Sequence, residues 1–440
     1  MKERIYKRFQ WPRLEGRNPA ETLLPWAASH FDTLLFLNSN EYADDRYASL
    51  PWAIAAGVHS EFLPTSEAVF DGLKSFADQG DDWLFGFFSY EIKNQLEELS
   101  STNPDHIGMP LCHFFQPQLM ILPGDGGILI GLLPGHGDFR TPEEVLESIS
   151  LFEPPPDKRT PPVNAIRARV SKERYLQQLA AIKAHIQAGD IYEMNYCIEF
   201  YSEDATMDPV RVYQELNAMS EAPFSCFYRL KDKYLLCASP ERFMKKQGTK
   251  IISQPIKGTS ARGKDPGEDQ RLQQALYNDG KERSENVMIV DLVRNDLSRT
   301  ASKGSVKVEE LFGIYPFRQV NQMISTVTSE LDPRYHYLDA IKNAFPMGSM
   351  TGAPKIRAMQ LIEAYEDTAR GLYSGAVGYI SPTGNFDFNV VIRSILYNAK
   401  SRYLSFMAGS AITIGSEPLK EYDECLLKAR AMGKAVGGEQ

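Results

Sequence analysis

The chain has 440 residues, 43% hydrophobic and 24% charged, with a formal net charge of -9 from 57 acidic and 48 basic side chains. This is the balance of a globular protein, long enough for one large domain or two to three average ones. No basic stripe interrupts the acidic balance, which argues against nucleic acid or an anionic membrane surface as a main partner.

The first residues, "MKERIYKRFQWPR", lack the apolar core of a signal peptide, and "FDTLLFLNS" is too short to span a membrane. Five scattered cysteines (Cys112, Cys197, Cys226, Cys237, Cys425) form no CxxC pair, and the seven histidines show no ligand spacing. The expectation is a cytoplasmic protein with reduced thiols, carrying neither a disulfide frame nor a zinc site.

Residues 1–150 alternate short apolar runs ("TLLFLNS", "WLFGFFSY", "GILIGLL") with polar stretches, which predicts strands with helices between them. The prolines of "FEPPPDKRTPPVN" block helix and central strand alike, and predict a linker over 151–165 ahead of a second region, 166–440. In "SKERYLQQLAAIKAHIQAGD" the residues Tyr175, Leu179, Ile182 and Ile186 recur at three and four, predicting a helix capped by Ser171 and closed by Gly189. "IYEMNYCIEFY" reads as a strand. "YLLCASPERF" and "TKIISQPIKGT" read as a strand pair, and "SGAVGYIS" with "FDFNVVIRSILY" as another, joined at "PTGN". The fold class predicted is α+β, or layered α/β, with strands in pairs rather than regular βαβ units.

Two acidic pairs stand out. Glu282 and Glu285 lie three apart on one predicted helix, Glu421 and Glu424 on another behind Pro418. Carboxylates at that spacing share a helix face. Two such faces meeting would make an oxygen-rich site suited to Mg²⁺; apart, they are solvated surface. "FPMGSMTGAPKIRAM" predicts a small-residue loop running into a helix, with exposed amides that suit an anion; it is not a Walker A loop. Arg393, in an apolar run, needs a partner, either an internal carboxylate or that of a substrate. Lys257, in "QPIKGTS", either snorkels its charge to water or acts as a nucleophile, which requires a neutral amine. Glu241 is then either its ion-pair partner or a general acid.

Taken together, "GDIYEMN", "SPERF", "PIKGT", "KERSENVMIVDLVRNDL", "GSMTGAPK", "SGAVGYIS", "VIRS", "AGSAIT" and "EYDECLLKA" follow in this order over residues 189–430. In these the sequence resembles the chorismate-utilising enzymes: anthranilate synthase component I, aminodeoxychorismate synthase component I, and the isochorismate and salicylate synthases. "LFLNSNEYADDRYASL" and "LFGFFSYE" resemble the N-terminal region of the amine-transferring members. The resemblance implies two facing sheets of antiparallel type flanked by helices, with 166–440 as the chorismate-binding domain. It implies Mg²⁺ between Glu285 and Glu424 with Glu282 and Glu421 in support. It further implies Lys257 as nucleophile and Glu241 as acid, Gly258 and Thr259 along the substrate ring, and Arg393 and Tyr379 on the enolpyruvyl carboxylate with the amides of Gly409, Ser410 and Ala411. The lysine in Pro-Ile-Lys-Gly-Thr favours the aminodeoxychorismate branch, amination of chorismate for folate synthesis. The anthranilate branch usually carries alanine there and a histidine where this chain has Gln322. Isochorismate synthases carry a base lysine where this chain has Glu193, and many amine-transferring relatives carry glutamine there; a carboxylate in that place either alters the polarity of the nucleophile site or pairs with Lys257. No cysteine stands in a Gly-x-Cys-x-Gly elbow, so ammonia is expected from a separate glutamine amidotransferase subunit, and no fused lyase is expected. Related chains hold tryptophan near positions matching Ser39, Pro223, Phe224 and Ser225, so a non-catalytic chorismate- or tryptophan-binding subunit is the alternative from another class.

Overall fold

The computed structural model describes residues 3–10, 19–64, 68–134, 137–154, 163 and 166–437. Most of the proline-rich 151–165 segment lies outside the described residues. The N-terminal stretch supplies β1 (Ile5–Gln10), α1 (Pro19–His30), β2 (Thr33–Asn38), β3 (Trp52–Phe62), β4 (Leu84–Phe88), β5 (Cys112–Gly124) and β6 (Gly127–Leu132). Beyond the prolines come α2 (Lys172–Ala188), β7 (Glu193–Ser202), α3 (Pro209–Ser220), β8 (Phe224–Leu230), β9 (Lys233–Ser239), β10 (Arg242–Gln247), β11 (Lys250–Gln254) and β12 (Ile256–Ala261). They are followed by α4 (Gly280–Ser298), β13 (Lys307–Pro316), β14 (Val320–Glu330), α5 (Lys355–Tyr365), β15 (Ala376–Ile380), β16 (Phe386–Asn389), β17 (Ser394–Asn398), β18 (Tyr403–Ile412) and α6 (Pro418–Ala435).

These strands pair antiparallel in two branches that meet at β5. One runs β1-β6-β5-β3-β2-β8-β9-β17-β18-β7. The other leaves β5 through β4 and runs β4-β15-β16-β10-β11-β14, with β12 and β13 both on β14. Because β2 pairs with β8 and β4 with β15, strands from both sides of the proline-rich segment interleave. The inner faces of the two branches share one core, in which Leu35, Phe85, Phe87, Tyr228, Met244, Ile251 and Phe388 are buried together. The outer face of the first branch packs against α1, α2, α3 and α6 in a second core around Trp26, Tyr175, Leu216, Phe406 and Met432. Strands buried on both faces read as continuous apolar runs rather than alternations, as "TLLFLN" does.

Helix α2 starts where Ser171 accepts the Arg174 amide and stops at Gly189, whose φ of 83° closes it. Two expectations are corrected. "YLLCAS" (β9) does not pair with "KIISQ" (β11); it lies between β8 and β17, while β11 forms a hairpin with β10. "FDFNVVIRSILY" is not one strand. It breaks between β16 and β17, where Arg393 sits at a φ of 50°, so the chain passes from one branch to the other at this arginine. No described helix is long and apolar enough to cross a membrane.

Candidate active site

A cavity of about 550 Å³ opens between β12, α4, the β9–β10 turn, β18 and α6. It is lined by Glu241, Lys257, Gly258, Thr259, Glu282, Glu285, Arg393, Gly409, Ala411, Glu421 and Glu424, eleven of the thirteen residues expected to form the reaction site.

The register explains how Lys257 arrives there. Ile256 pairs with Ile324 and Thr259 with Gln322, so Lys257 and Gly258 together face the single residue Met323. That is a β-bulge, which bends the strand and re-aims a side chain. Gly258 takes a φ of 98°, open to glycine and strained for other residues. The Lys257 Nζ lies 2.6 Å from Glu193 Oε1 on β7, an ion pair whose side chains are 10% and 1% exposed. Burial alone would push the Lys257 amine down, but Glu193, then Glu285 and Glu241, outweigh it and hold the pKa above the ordinary lysine value. The second oxygen of Glu193, Oε2, is buried without a hydrogen-bond partner.

Glu241 occupies the turn between β9 and β10, with its carbonyl tied to the Val390 amide. Burial raises its carboxyl to about 7, against the opposing pull of the Ser349 hydroxyl and the Lys257 charge. A carboxyl poised there can hold a proton at neutral pH and release it to a leaving group.

The two acidic pairs do converge. Asp279 caps α4 by accepting the Lys281 and Glu282 amides, which sets Glu282 and Glu285 on the face toward the cavity. Burial raises Glu285 to about 7, and its Oε1 has no hydrogen-bond partner; Lys281 Nζ stands 3.7 Å from it. On α6, Glu421 is buried and Glu424 pairs with Lys428 at 2.6 Å. Among the described residues no three His, Cys, Asp or Glu are already drawn together as a ligand cluster. The four glutamates share a cavity wall, all offering hard oxygen donors.

Arg393 reaches the cavity from the break between β16 and β17. Burial pushes its pKa below the usual guanidinium value, and no carboxylate forms an ion pair with it among the described residues. Beside it, β18 keeps β7 along one edge through Ile412, but β17 covers the other edge only as far as Phe406. Gly409 and Ala411 on that open stretch line the cavity, and the Gly409 carbonyl accepts a 2.9 Å hydrogen bond from Lys428.

Two expected residues are not brought in. The Ser410 side chain is buried but does not line the cavity, as strand alternation requires between Gly409 and Ala411. Tyr379 is corrected outright: on β15 it lines a separate hollow with Ser39, Pro223, Phe224 and Ser225. Tyr373, six residues earlier and off the strand, stands in the site with Arg393 instead. Sequence reasoning also missed Lys281, Asn195, Ser349 and Lys428. The two lysines had a signal, four residues before Glu285 and four after Glu424; Asn195 and Ser349 had none.

The hollow of Ser39, Pro223, Phe224 and Ser225 measures about 60 Å³. Arg242 fills its wall, held by Asp45 at 2.7 Å and Asp387 at 2.9 Å, with the Phe224 ring 4.7 Å from the guanidinium.

Residues 38–434 match the chorismate binding enzyme family. Aminodeoxychorismate synthase component 1 of Klebsiella aerogenes is 42% identical over 261 residues, 59% of this chain and 57% of that protein, so the match spans little more than half of that relative. Anthranilate synthase component 1 of Thermus thermophilus is 34% identical over 362 residues, 80% of this chain and 77% of that one. The fold matches that of the menaquinone-specific isochorismate synthase of Escherichia coli with a TM-score of 0.77, over 99% of this chain and 95% of the other, at 16% identity.

Proposed function

We propose an amination of chorismate for this chain, which belongs to the chorismate binding enzyme family. The reaction would convert chorismate and ammonia to 4-amino-4-deoxychorismate, keeping the enolpyruvyl group. One observation carries the reading: Lys257, Glu241 and Arg393 face one cavity, an amine, a carboxyl that titrates near neutrality and a guanidinium in ion-pair contact with no carboxylate among the described residues.

In this mechanism Arg393 binds the enolpyruvyl carboxylate through its planar fork, beside Tyr373 and the open edge of β18. The neutral Lys257 amine bonds to ring carbon C2, both ring double bonds shift by one position around C1, C6 and C5, and the C4–O bond breaks. Glu241 gives its proton to the departing hydroxyl, which leaves as water. Ammonia then bonds to C4, both double bonds shift back, and the C2–N bond breaks to free the lysine. A covalent amine divides one difficult displacement into two easier ones.

Glu285 and Glu424 would hold a magnesium ion, with Glu282 and Glu421 in support. The four donors fit that ion in kind, and the unpartnered buried Oε1 of Glu285 fits it in place. When bound, the ion would neutralise the ring carboxylate and polarise the substrate. Ammonia would come from a separate glutamine amidotransferase subunit, because all five cysteines here are buried and free and none lies in a glutaminase elbow. Buried free thiols also suit the cytoplasm.

The test is to incubate the purified chain with chorismate, Mg²⁺ and ammonium and to identify the product by mass. Aminodeoxychorismate supports the reading. Anthranilate would instead place the chain with its Thermus relative's namesake reaction and remove Lys257 from its role.

A further inference from the structure

The ion pair between Lys257 and Glu193 poses a problem for a lysine nucleophile. An ammonium has no lone pair, and the carboxylates around Lys257 hold its proton on. The side chain is 10% exposed, and once substrate fills the cavity that it lines, water has little access to remove that proton. Glu193 touches the amine at 2.6 Å, is itself buried, and its Oε2 has no other partner to satisfy. Nothing else in the site is both in hydrogen-bond contact with Nζ and able to accept a proton, among the described residues.

We propose that Glu193 is the proton acceptor that converts Lys257 from ammonium to free amine inside the buried pair. This rests on the lysine-adduct reading above. The step balances: one Nζ–H bond breaks, one Oε–H bond forms on Glu193, and the nitrogen lone pair becomes available to bond with C2. When ammonia later displaces the lysine, Glu193 returns the proton and the ion pair is restored. The pair keeps the same net charge throughout, so activation exchanges no proton with solvent. A glutamine here could accept the same hydrogen bond from Nζ but could not take the proton. The charged groups that face the pair are Glu282 and Glu285 on α4, Glu424 on α6 and Glu241 on the β9–β10 turn, with Lys281 beside Glu285.

A pH profile separates this role from a merely structural one. Purified protein is mixed with chorismate and Mg²⁺ without ammonium, and the rate of the covalent adduct (chorismate less water) is followed by intact mass from pH 6 to 9. In Glu193→Gln, Lys257 must lose its proton to solvent, so the ratio of variant to parent rate rises about tenfold per pH unit below the lysine pKa. Near pH 7, about three units below an ordinary lysine pKa, the variant is about 1,000-fold slower, within the range for a lost general base. Glu241 is common to both proteins and divides out of the ratio; Glu285, at about 7 in the parent, also feels the Glu193 charge, so the slope is read above pH 8, where Glu285 is ionised in both proteins. Glu193→Asp keeps a carboxylate and should keep a ratio independent of pH, at a lower level. A pH-independent ratio for Glu193→Gln, or a rate equal to the parent's, overturns the proposal. If Glu193→Gln does not fold, Glu193→Asp decides alone: a lowered flat ratio supports the proposal and an unchanged rate overturns it. If the parent itself forms no adduct but aminates chorismate, Lys257 is no nucleophile and this inference falls. If the parent gives neither product nor adduct, the amination reading falls with it.

Discussion

A Cβ placed on Gly258 would lie 3.2 Å from Glu282 Oε2 and 3.2 Å from Met323 Cβ, so the bulge that aims Lys257 is also what seats the first acidic helix against the strand. The two halves of the site, amine and carboxylates, are thereby spaced by one glycine. Gly258→Ala must hold a φ of 98° with a side chain present. That costs about 1–2 kcal/mol in backbone strain and pushes Glu282 outward. The expected result is a melting temperature a few degrees lower, with amination reduced far more than the small loss of folded protein explains. Activity normalised to the folded fraction measures this.

Lys257→Ala should leave no mass adduct with chorismate and no amination product. It also strands Glu193 in a buried pocket without its counter-charge, and breaking a buried pair from one side costs about 3–5 kcal/mol unless the survivor takes up a proton. Stability of this variant should therefore recover in part as the pH is lowered. The companion Lys257→Ala/Glu193→Gln protein removes the stranded charge and should melt above the single variant, while remaining inactive.

Glu241 gives two pH signatures of opposite experimental kind. Its carboxyl is raised from 4.5 to about 7 by burial. In that window the folded state holds a proton that the unfolded chain has released, so this group's contribution to stability falls as pH rises from about 4.5 to 7. Glu241→Gln removes the dependence, and above pH 7 the variant should be more stable than the parent by up to about 3 kcal/mol. As a general acid the same group works only while protonated, so chorismate consumption, corrected for free ammonia, should decline above neutrality. Glu241→Gln should lose that limb along with about 100-fold or more of the rate.

The two acidic pairs stood out because spacing on a helix fixes which residues share a face, whereas the meeting of the two pairs and the role of Lys257, which lies on a strand, were implied by the resemblance. What failed depended on register between strands far apart in the chain. The bulge at Lys257 and Gly258 exists only relative to Met323, some sixty-five residues away. The break at Arg393 exists because β16 follows β10 while β17 follows β9. Tyr379, which the resemblance implied, lies with Arg242 in the separate hollow, while Tyr373 lines the cavity. The pairing of Glu193 with Lys257 was one of the two readings of a carboxylate at that position, and the fold makes it between β7 and β12, strands that do not pair with each other.

Magnesium should raise the melting temperature if Glu285 and Glu424 hold it. At a concentration 100 times the dissociation constant, a ligand bound only by the folded state stabilises by about 2.7 kcal/mol. Glu285→Gln and Glu424→Gln should each lose most of that shift, measured against each variant's own melting temperature in chelator. A shift of the same size in both variants would place the ion elsewhere. Chelator should abolish adduct formation at Lys257 in the parent, and added Mg²⁺ should restore it.

Tryptophan is the last ligand to weigh, because the hollow of Ser39, Pro223, Phe224 and Ser225 lies where relatives of this kind are expected to hold it. Its volume is about 60 Å³. An apolar cavity near 150 Å³ is what accepts benzene, and an indole is larger. The space is taken by the Arg242 guanidinium, fixed by Asp45 and Asp387 and stacked on Phe224. Displacing it would strand a buried charge network at several kcal/mol, more than a weakly bound amino acid supplies. Millimolar tryptophan should therefore produce no heat in calorimetry and no inhibition of amination. Arg242→Ala offers no simple gain of binding, since it leaves Asp45 and Asp387 facing each other. The informative variant is Arg242→Met with Asp45→Asn, which empties the wall and leaves Asp387 paired with Lys245 at 3.2 Å. Tryptophan binding by that protein alone would show that Arg242 is what closes the pocket, whereas binding by the parent would show that the hollow opens at little cost.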